Sequence, residues 1–324
     1  MTCLDAFKNV NIQVIDGALN ISPCCLSPTE KADSVNFVNN AYLNRVRQSW
    51  NNEISPIECS ACIRAESAGV NSRRIGTNKW YVDNGYDNNS VELIRVDYWT
   101  GDTCNLRCAI CGPNNSSAWK QELNYPVDLK KSTINYFWKD LNLTKIKFVH
   151  FNGGEPLLSK EHIEFLHALP HKDQVYINYN TNGTILPNNE LISVWEEFKL
   201  VQLDFSIDDI GERFEYQRYP AKWKDVTENL QWYINNSPVN CMFAVNTSIG
   251  LLNNSNINNL NNWLQENFSQ NRLTDPIEHR TQLVTGLFSL DQPDFNKVIK
   301  FLEGCDARRG TNWQNVFPEL LQYI

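Results

Sequence analysis

Short runs of apolar, β-branched and aromatic residues alternate with amphipathic stretches from about residue 92 onward. Six of these runs predict strands, at 93–99, 145–151, 174–179, 200–207, 242–246 and 279–284. Between them, apolar residues at i, i+3 and i+4 predict helices at 132–141, 160–169, 189–198, 225–234, 257–268 and 294–302. Six such units predict an α/β fold: a parallel sheet with helices on one side, forming a partial (β/α)6 TIM-like barrel.

The first 90 residues have a different pattern, with few helical repeats and most of the cysteines. The polar, turn-rich stretch 78–90 predicts a linker. We therefore expect a small N-terminal domain at 1–90, a barrel at 91–290, and a C-terminal helix and tail at 291–324.

Composition and charge narrow the possible functions. The chain has 324 residues, of which 42% are hydrophobic, enough for a sizeable core, and its net charge of −8 argues against a nucleic-acid partner. The N-terminus lacks a basic segment followed by an apolar one, and no run approaches the ~18 apolar residues of a membrane span. We expect a cytoplasmic protein that does not interact with membranes.

Ten cysteines, eight of them within the first 111 residues, point to metal binding or catalysis in a cytoplasmic chain. Cys104, Cys108 and Cys111 follow the first predicted strand with C-x3-C-x2-C spacing. Three thiolates can hold an iron–sulfur cluster with one iron open to a small molecule. The alternatives are a zinc site with a distant fourth ligand and unligated core cysteines.

Polar motifs follow the next predicted strands, and the carboxyl ends of barrel strands are where active sites form. The candidate residues are Gly153, Gly154, Glu155 and Pro156, then Asn180 and Asn182, then Ser206 and Asp208, and finally Asn246, with Arg218 ten residues beyond Asp208. Glycines let a backbone approach a ligand closely. A carboxylate such as Glu155 stabilises the charged form of a bound amine, and an arginine such as Arg218 can form an ion pair with a bound carboxylate.

Together these motifs resemble those of radical S-adenosylmethionine (SAM) enzymes. The resemblance implies a 4Fe–4S cluster on Cys104, Cys108 and Cys111, with SAM chelating the open iron and being cleaved to methionine and a 5′-deoxyadenosyl radical. It further implies that the Gly-Gly-Glu-Pro motif binds the SAM amino group. Asn180 and Asn182 are then expected to face SAM, Ser206 and Asp208 to contact its ribose and carboxylate, Arg218 to pair with the carboxylate, and Asn246 to contact ribose or adenine.

The other N-terminal cysteines form a second candidate metal site. Cys59 and Cys62 form a C-x2-C pair, and the residues after them resemble the E-x2-G-x2-S-x-R signature of SPASM/twitch auxiliary cluster domains. The resemblance implies one auxiliary Fe–S cluster, 4Fe–4S rather than 2Fe–2S, held by Cys59, Cys62, Cys3 and one of the adjacent Cys24 and Cys25. A tetrahedral zinc site would accept the same four ligands.

The resemblance implies an oxidoreductase, and we expect it to abstract a hydrogen atom from a peptide or protein. A dehydrogenase or epimerase acting on a small molecule, or a non-catalytic Fe–S or zinc binding module, is the alternative. The electron donor would be of the flavodoxin or ferredoxin type. Residues 306–320 resemble a tail segment of the same subgroup and predict a docked C-terminal helix, and Cys305 is a candidate hydrogen-atom donor.

Overall fold

The computed structural model describes residues 2–15, 18–125, 137–268, 277–284 and 286–323. Within these ranges one sheet contains nine strands, in the order β3-β2-β1-β4-β5-β6-β7-β8-β9. The strands are β1 Asn9–Ile15, β2 Ala18–Ser22, β3 Glu30–Lys31, β4 Arg95–Trp99, β5 Phe148–Asn152, β6 Tyr176–Thr181, β7 Leu200–Ser206, β8 Cys241–Ile249 and β9 Glu278–Leu283.

Strands β4 to β9 are parallel to one another and follow chain order, which is the predicted partial barrel. Strand β1 also pairs with β4 in parallel, whereas β2 and β3 continue the sheet in antiparallel fashion. Across the described residues the sheet is open, with β3 and β9 at its edges. The first strand of the chain therefore belongs to the same sheet as the predicted barrel.

Twelve α-helices are found among the described residues. They are α1 Asp5–Lys8, α2 Ala41–Asn51, α3 Ser60–Ser67, α4 Arg73–Asp83, α5 Ser117–Glu122, α6 Glu161–Ala168, α7 Asn189–Trp195, α8 Gly211–Gln217, α9 Trp223–Asn236, α10 Ile257–Asn267, α11 Phe295–Arg309 and α12 Trp313–Val316. None of the described helices combines the length and apolarity that a membrane span requires.

The six predicted strands are confirmed, each within three residues of its predicted bounds, and five of the six predicted helices are present. Of the sixth, 132–136 lie outside the described residues, and Phe137–Asp140 forms a 3-10 helix. The expectation of few helices before residue 90 was wrong, because α2, α3 and α4 lie there. Part of the predicted linker is also helical, since α4 runs to Asp83.

The main core lies between one face of the sheet and the helices that cover it. Valines and aromatic residues of β4 to β8 pack there against α6, α7, α9 and α10. A second apolar cluster joins α11, α12 and residues 317–320 to Tyr216 and Ala109. The C-terminal segment is therefore docked on the barrel, as predicted.

Candidate active site

The three cysteines with C-x3-C-x2-C spacing lie on the loop that follows β4, and all three are half-buried. The amide of Cys111 donates to the carbonyl of Cys108 at 3.0 Å, and the indole of Trp119 donates to the same carbonyl at 3.0 Å. Leu106 and Ala109 alternate with the cysteines and are buried. The loop is therefore anchored by its apolar side chains, while the three thiols remain partly accessible.

Two neighbouring segments fix the backbone of this loop. On one side, Arg107 donates its amide to Tyr219 O at 2.6 Å and Ala109 donates to Gln217 O at 2.7 Å. On the other side, the Gly-Gly-Glu-Pro motif donates the Gly154 amide to Gly101 O and the Glu155 amide to Thr103 O, both at 2.8 Å. The second motif thus holds the start of the cysteine loop.

Close packing explains the two glycines of this motif. Gly153 has a φ of +133°, and a Cβ on it would lie 2.7 Å from Gly101 O. A Cβ on Gly154 would collide with the carbonyl group of Thr103, only 2.7 Å from its carbon atom. Any larger residue would separate the motif from the cysteine loop.

Glu155 binds the loop after β6. Its carboxylate accepts from the hydroxyl of Thr181 at 2.9 Å, from the amide of Asn182 at 2.7 Å and from the amide of Leu157 at 3.2 Å. Burial raises the pKa of Glu155 to about 7, and these three hydrogen bonds oppose the rise. In the structure Glu155 therefore holds the Thr181–Asn182 loop in place.

The predicted Asn180 and Asn182 face different neighbours. The side-chain nitrogen of Asn182 donates to Asn105 Oδ1 at 3.0 Å and lies 4.0 Å from Cys104 Sγ, so Asn182 belongs to the cysteine site. Asn180 instead donates to His150 Nε2 at 3.0 Å and accepts from Asn246 at 3.5 Å. Asn180 and Asn246 lie together on the inner face of the sheet.

Asp208 and Arg218 form a buried ion pair next to the thiols. Arg218 Nη2 lies 2.7 Å from Asp208 Oδ2, and Nη1 lies 3.9 Å from Cys108 Sγ. The other oxygen of Asp208 accepts the Ser248 amide at 2.9 Å. Ser206, at the end of β7, pairs in register with Asn246. Asp208 thus orients the Arg218 guanidinium towards the cysteine loop.

The residues of this site fit an Fe–S cluster with an open iron and an anionic ligand. Burial raises the pKa of Cys108 to about 12, against the attraction of Arg218, and bound iron would supply the positive charge that this thiol needs to ionise. The Nε of Arg218 is buried without an acceptor among the described residues, and a ligand carboxylate would satisfy it.

A second set of thiols meets at the N-terminus. Cys3, Cys24, Cys59 and Cys62 are all buried and line one small cavity, together with Arg73 and Arg74. Asn78 of α4 positions Cys3, because its side chain accepts the Leu4 amide at 2.8 Å and donates to Thr2 O at 2.7 Å. The four predicted positions therefore converge from separate parts of the N-terminal segment.

Cys25 is not among the residues that line this cavity. Its Sγ accepts from Arg73 Nη1 at 3.3 Å, and the same guanidinium pairs with Asp97 at 2.7 Å and with Asp5 at 3.0 Å. Burial raises the pKa of Cys25 to about 12. Of the adjacent cysteines, Cys24 faces the other three thiols and Cys25 faces the barrel.

The residues of the E-x2-G-x2-S-x-R signature hold α3 against α4. Glu66 pairs with Arg74 and accepts the hydroxyl of Ser72, which also caps α4 at the Ile75 amide. Gly69 adopts a φ of +74° in the turn between the two helices. Since Cys62 lies on α3, this network sets the position of one cavity thiol.

Sequence reasoning missed a clamp between the C-terminus and the cysteine loop. The side chain of Arg309 is 2% exposed, pairs with Glu122 at 3.1 Å and donates to Arg107 O at 3.1 Å. Its guanidinium lies 4.7 Å from the ring of Trp119 and 4.8 Å from that of Tyr219. Cys305 is fully buried on the same helix, near Arg308. The only feature of the sequence that could have indicated this contact is the arginine pair, Arg308 and Arg309, within the tail segment 306–320.

A partial barrel with three thiols at the carboxyl end of its first barrel strand defines a site for an Fe–S cluster. The family model for the radical SAM superfamily matches residues 100–263, half of the chain. The chain therefore belongs to the radical SAM superfamily, which implies a 4Fe–4S cluster, SAM as cofactor and an enzyme that catalyses radical reactions.

Individual proteins match this chain over shorter segments than the family model does. The chain is 34% identical over 104 residues to a GTP 3′,8-cyclase of Thermodesulfovibrio yellowstonii, covering 31% of this chain and 30% of that protein. It is 28% identical over 144 residues to a GTP 3′,8-cyclase of Listeria welshimeri, covering 43% and 40%. The matched segment thus spans less than half of each relative.

Similar solved structures include two with bound peptides. Native anSMEcpe with AdoMet and the Cp18Cys peptide has a TM-score of 0.41 and 17% identity, covering 67% of this chain and 61% of that one. Streptococcus suis SuiB with its precursor peptide SuiA has a TM-score of 0.42 and 12% identity, covering 98% and 75%.

Proposed function

We propose that this radical SAM enzyme is an oxidoreductase for a peptide or protein substrate, with an auxiliary Fe–S cluster in a twitch-like N-terminal domain. The observation that carries this proposal is the convergence of Cys3, Cys24, Cys59 and Cys62 on one cavity. Four thiolates close the coordination shell of a cluster, which suits electron transfer rather than substrate binding. We propose a division of the chain into an N-terminal domain at 1–90, a barrel at 91–290 and a C-terminal helix and tail at 291–324. In this division the N-terminal domain contributes strand β1 to the sheet of the barrel.

The main alternative for the N-terminal thiols is a single zinc ion. Zinc requires its thiolates at about 2.3 Å from one point. Among the described residues, no three Cys, His, Asp or Glu side chains are grouped tightly enough to hold a metal ion, and this includes the family's own cluster ligands. The proposal of iron over zinc at the N-terminal site rests on the resemblance of residues 66–74 to the SPASM/twitch signature.

The site residues have distinct proposed roles around the cofactor. When bound, the cluster and SAM supply a 5′-deoxyadenosyl radical that removes a hydrogen atom from the substrate. Arg218, oriented by Asp208, would pair with the SAM carboxylate. The carbonyls of Gly153 and Gly154 would accept from the SAM amino group, while Glu155 keeps the Asn182 loop in place.

The polar groups at the strand ends would complete the SAM site. We propose that Asn180 and Asn182 face SAM, that Ser206 and Asp208 contact its ribose and carboxylate, and that Asn246 contacts its ribose or adenine. A small-molecule substrate is the second candidate, because the curated relatives are named for a reaction of GTP. We further propose that a protein of the flavodoxin or ferredoxin type donates the electron and that the enzyme is cytoplasmic.

Anaerobic reconstitution followed by iron counting tests the auxiliary cluster. The wild type should hold about eight irons per chain, and the Cys59→Ser variant about four. The variant should still release 5′-deoxyadenosine from SAM and dithionite, because its barrel cluster is intact. Zinc at the N-terminal site, or an unchanged iron content in Cys59→Ser, would contradict the auxiliary cluster.

A further inference from the structure

Strand β9 ends the sheet on one side, and its outer edge has no backbone partner within the described parts of the chain. The amide of Val284, directly after β9, donates to Ile249 O at 2.8 Å and so points towards β8. Backbone groups of successive strand residues face alternate sides, so the amides and carbonyls of His279, Thr281 and Leu283 point away from β8. No described group forms a hydrogen bond with these outward-facing amides and carbonyls.

The two edges of the sheet differ in how well they are protected against a further strand. Natural sheets protect an edge by a short strand, a proline, a lysine, a bulge or an inward-pointing charge. Strand β3 has only two residues, whereas β9 has six and contains neither proline nor lysine. The charged residues of β9, Glu278 and Arg280, lie in its first half, and residues 281–283 are uncharged and exposed. The second half of β9 is therefore an open edge.

The side chains of this open edge suit an extended peptide. Leu283 is 66% exposed, and the exposed Thr281, two residues before it, projects from the same face of the sheet. Apolar and β-branched side chains on one face of a strand are stabilised by similar side chains on an adjoining strand. A strand with apolar or β-branched residues at alternate positions would cover Leu283 and remove it from water.

The same edge lies at the mouth of the barrel, one strand away from the Asp208–Arg218 pair. Gln282 pairs in register with Ser248, and its side chain donates to Ser248 Oγ at 3.0 Å. The Ser248 amide in turn donates to Asp208 Oδ1 at 2.9 Å. A segment held along β9 would therefore place the residues that flank it beside the candidate active site.

We propose that an extended segment of the peptide or protein substrate adds to the sheet as a strand alongside β9, hydrogen-bonded to His279, Thr281 and Leu283. This inference rests on the proposed function and specifies how its substrate is recognised. When a strand is added to a sheet edge, main-chain hydrogen bonds supply the affinity and alternate side chains supply the selectivity. A nucleotide lacks the succession of N–H and C=O groups that this edge would bind.

Backbone N-methylation of a bound peptide tests the pairing without altering the protein. The reconstituted holoenzyme, with SAM bound, is equilibrated with a random library of acetylated and amidated octapeptides. The most enriched peptide is then synthesised with one N-methyl group at each position in turn. Amides of a strand paired along one edge are alternately bound and free, so we expect the Kd to weaken at least tenfold at alternate central positions and less than twofold at those between them. Losses that do not alternate would overturn the inference.

The variant Thr281→Pro tests the edge from the side of the enzyme. It removes the central outward-facing amide, and proline is tolerated at an edge position whose amide makes no ladder hydrogen bond. Thr281→Val is the matched control, because it keeps both the amide and a branched side chain. We expect Thr281→Pro to bind the selected peptide at least tenfold more weakly than the wild type does, and Thr281→Val to bind it within twofold of the wild type. The peptide should also slow hydrogen exchange at the amides of His279, Thr281 and Leu283.

The possible outcomes separate this inference from the proposed function. Equal binding of the peptide by Thr281→Pro and the wild type would overturn the strand addition and leave the peptide substrate in place. A wild-type dimer in native mass spectrometry that Thr281→Pro converts to a monomer would do the same, because a second copy would then occupy the edge. No retained peptide, from a preparation that releases 5′-deoxyadenosine, would overturn both. Should Thr281→Pro fail to fold, the N-methylated peptides decide.

Discussion

Replacing Arg309 with glutamine tests the contact between the C-terminus and the cysteine loop. The side chains of Arg309 and Glu122 are 2% and 6% exposed, so the substitution removes one partner of a buried ion pair. Such a loss costs about 3–5 kcal/mol when the remaining charge has no other partner. Glu122 keeps Arg308 at 2.8 Å and Arg107 Nη1 at 3.5 Å, which places the expected cost near the lower end, at about 3 kcal/mol.

Thermal unfolding followed by circular dichroism measures this cost. For a domain of this size, a loss of about 3 kcal/mol corresponds to a fall in Tm of roughly 6–10 °C. Arg308→Gln is the matched control: Arg308 is 34% exposed, binds the same carboxylate and makes no contact with Arg107 O, so its removal should cost at most about 1 kcal/mol. A Tm of Arg309→Gln equal to that of the wild type, or an equal fall for both variants, would refute the buried clamp.

Three further substitutions test the thiol assignment, the glycine packing and the buried carboxyl group. Cys24→Ser should remove about four irons per chain after anaerobic reconstitution and Cys25→Ser none, because only Cys24 lines the cavity; equal losses would contradict the assignment. Gly154→Ala should lower SAM cleavage by about 100-fold, because the new Cβ pushes the motif away from the cysteine loop; full activity would show that the packing is dispensable. Glu155→Gln should flatten the pH dependence of the free energy of unfolding. The pKa of Glu155 is near 7 in the folded protein, and the carboxyl group of the unfolded chain ionises at a lower pH, so the wild type should lose about 3 kcal/mol of stability relative to the variant as the pH rises from 5 to 8. Parallel stability curves for the two proteins would refute the raised pKa.

Local patterns in the chain were sufficient to predict the barrel strands and the cysteine loop. Alternation and helical spacing are local signals, and the motifs at the ends of β5 and β7 lie where parallel strands bring their carboxyl ends together. The structure adds the partners, such as the Asp208–Arg218 pair and the binding of Glu155 to the Asn182 loop.

Contacts between distant parts of the chain could not be predicted. Strand β1 pairs with β4 more than 80 residues away, and parallel pairing at that distance has no sequence signature of its own. Arg309 reaches Glu122 across 187 residues. The choice between Cys24 and Cys25 likewise depended on Arg73, whose contacts with Asp5 and Asp97 turn it towards Cys25.

Release of 5′-deoxyadenosine from SAM, measured anaerobically with dithionite as reductant, tests the central claim most directly. The reconstituted wild type should release it, and Cys108→Ala should release none, because two thiolates do not hold the cluster with its open iron. Release by Cys108→Ala at the wild-type rate, or no release by an iron-loaded wild type, would contradict the account.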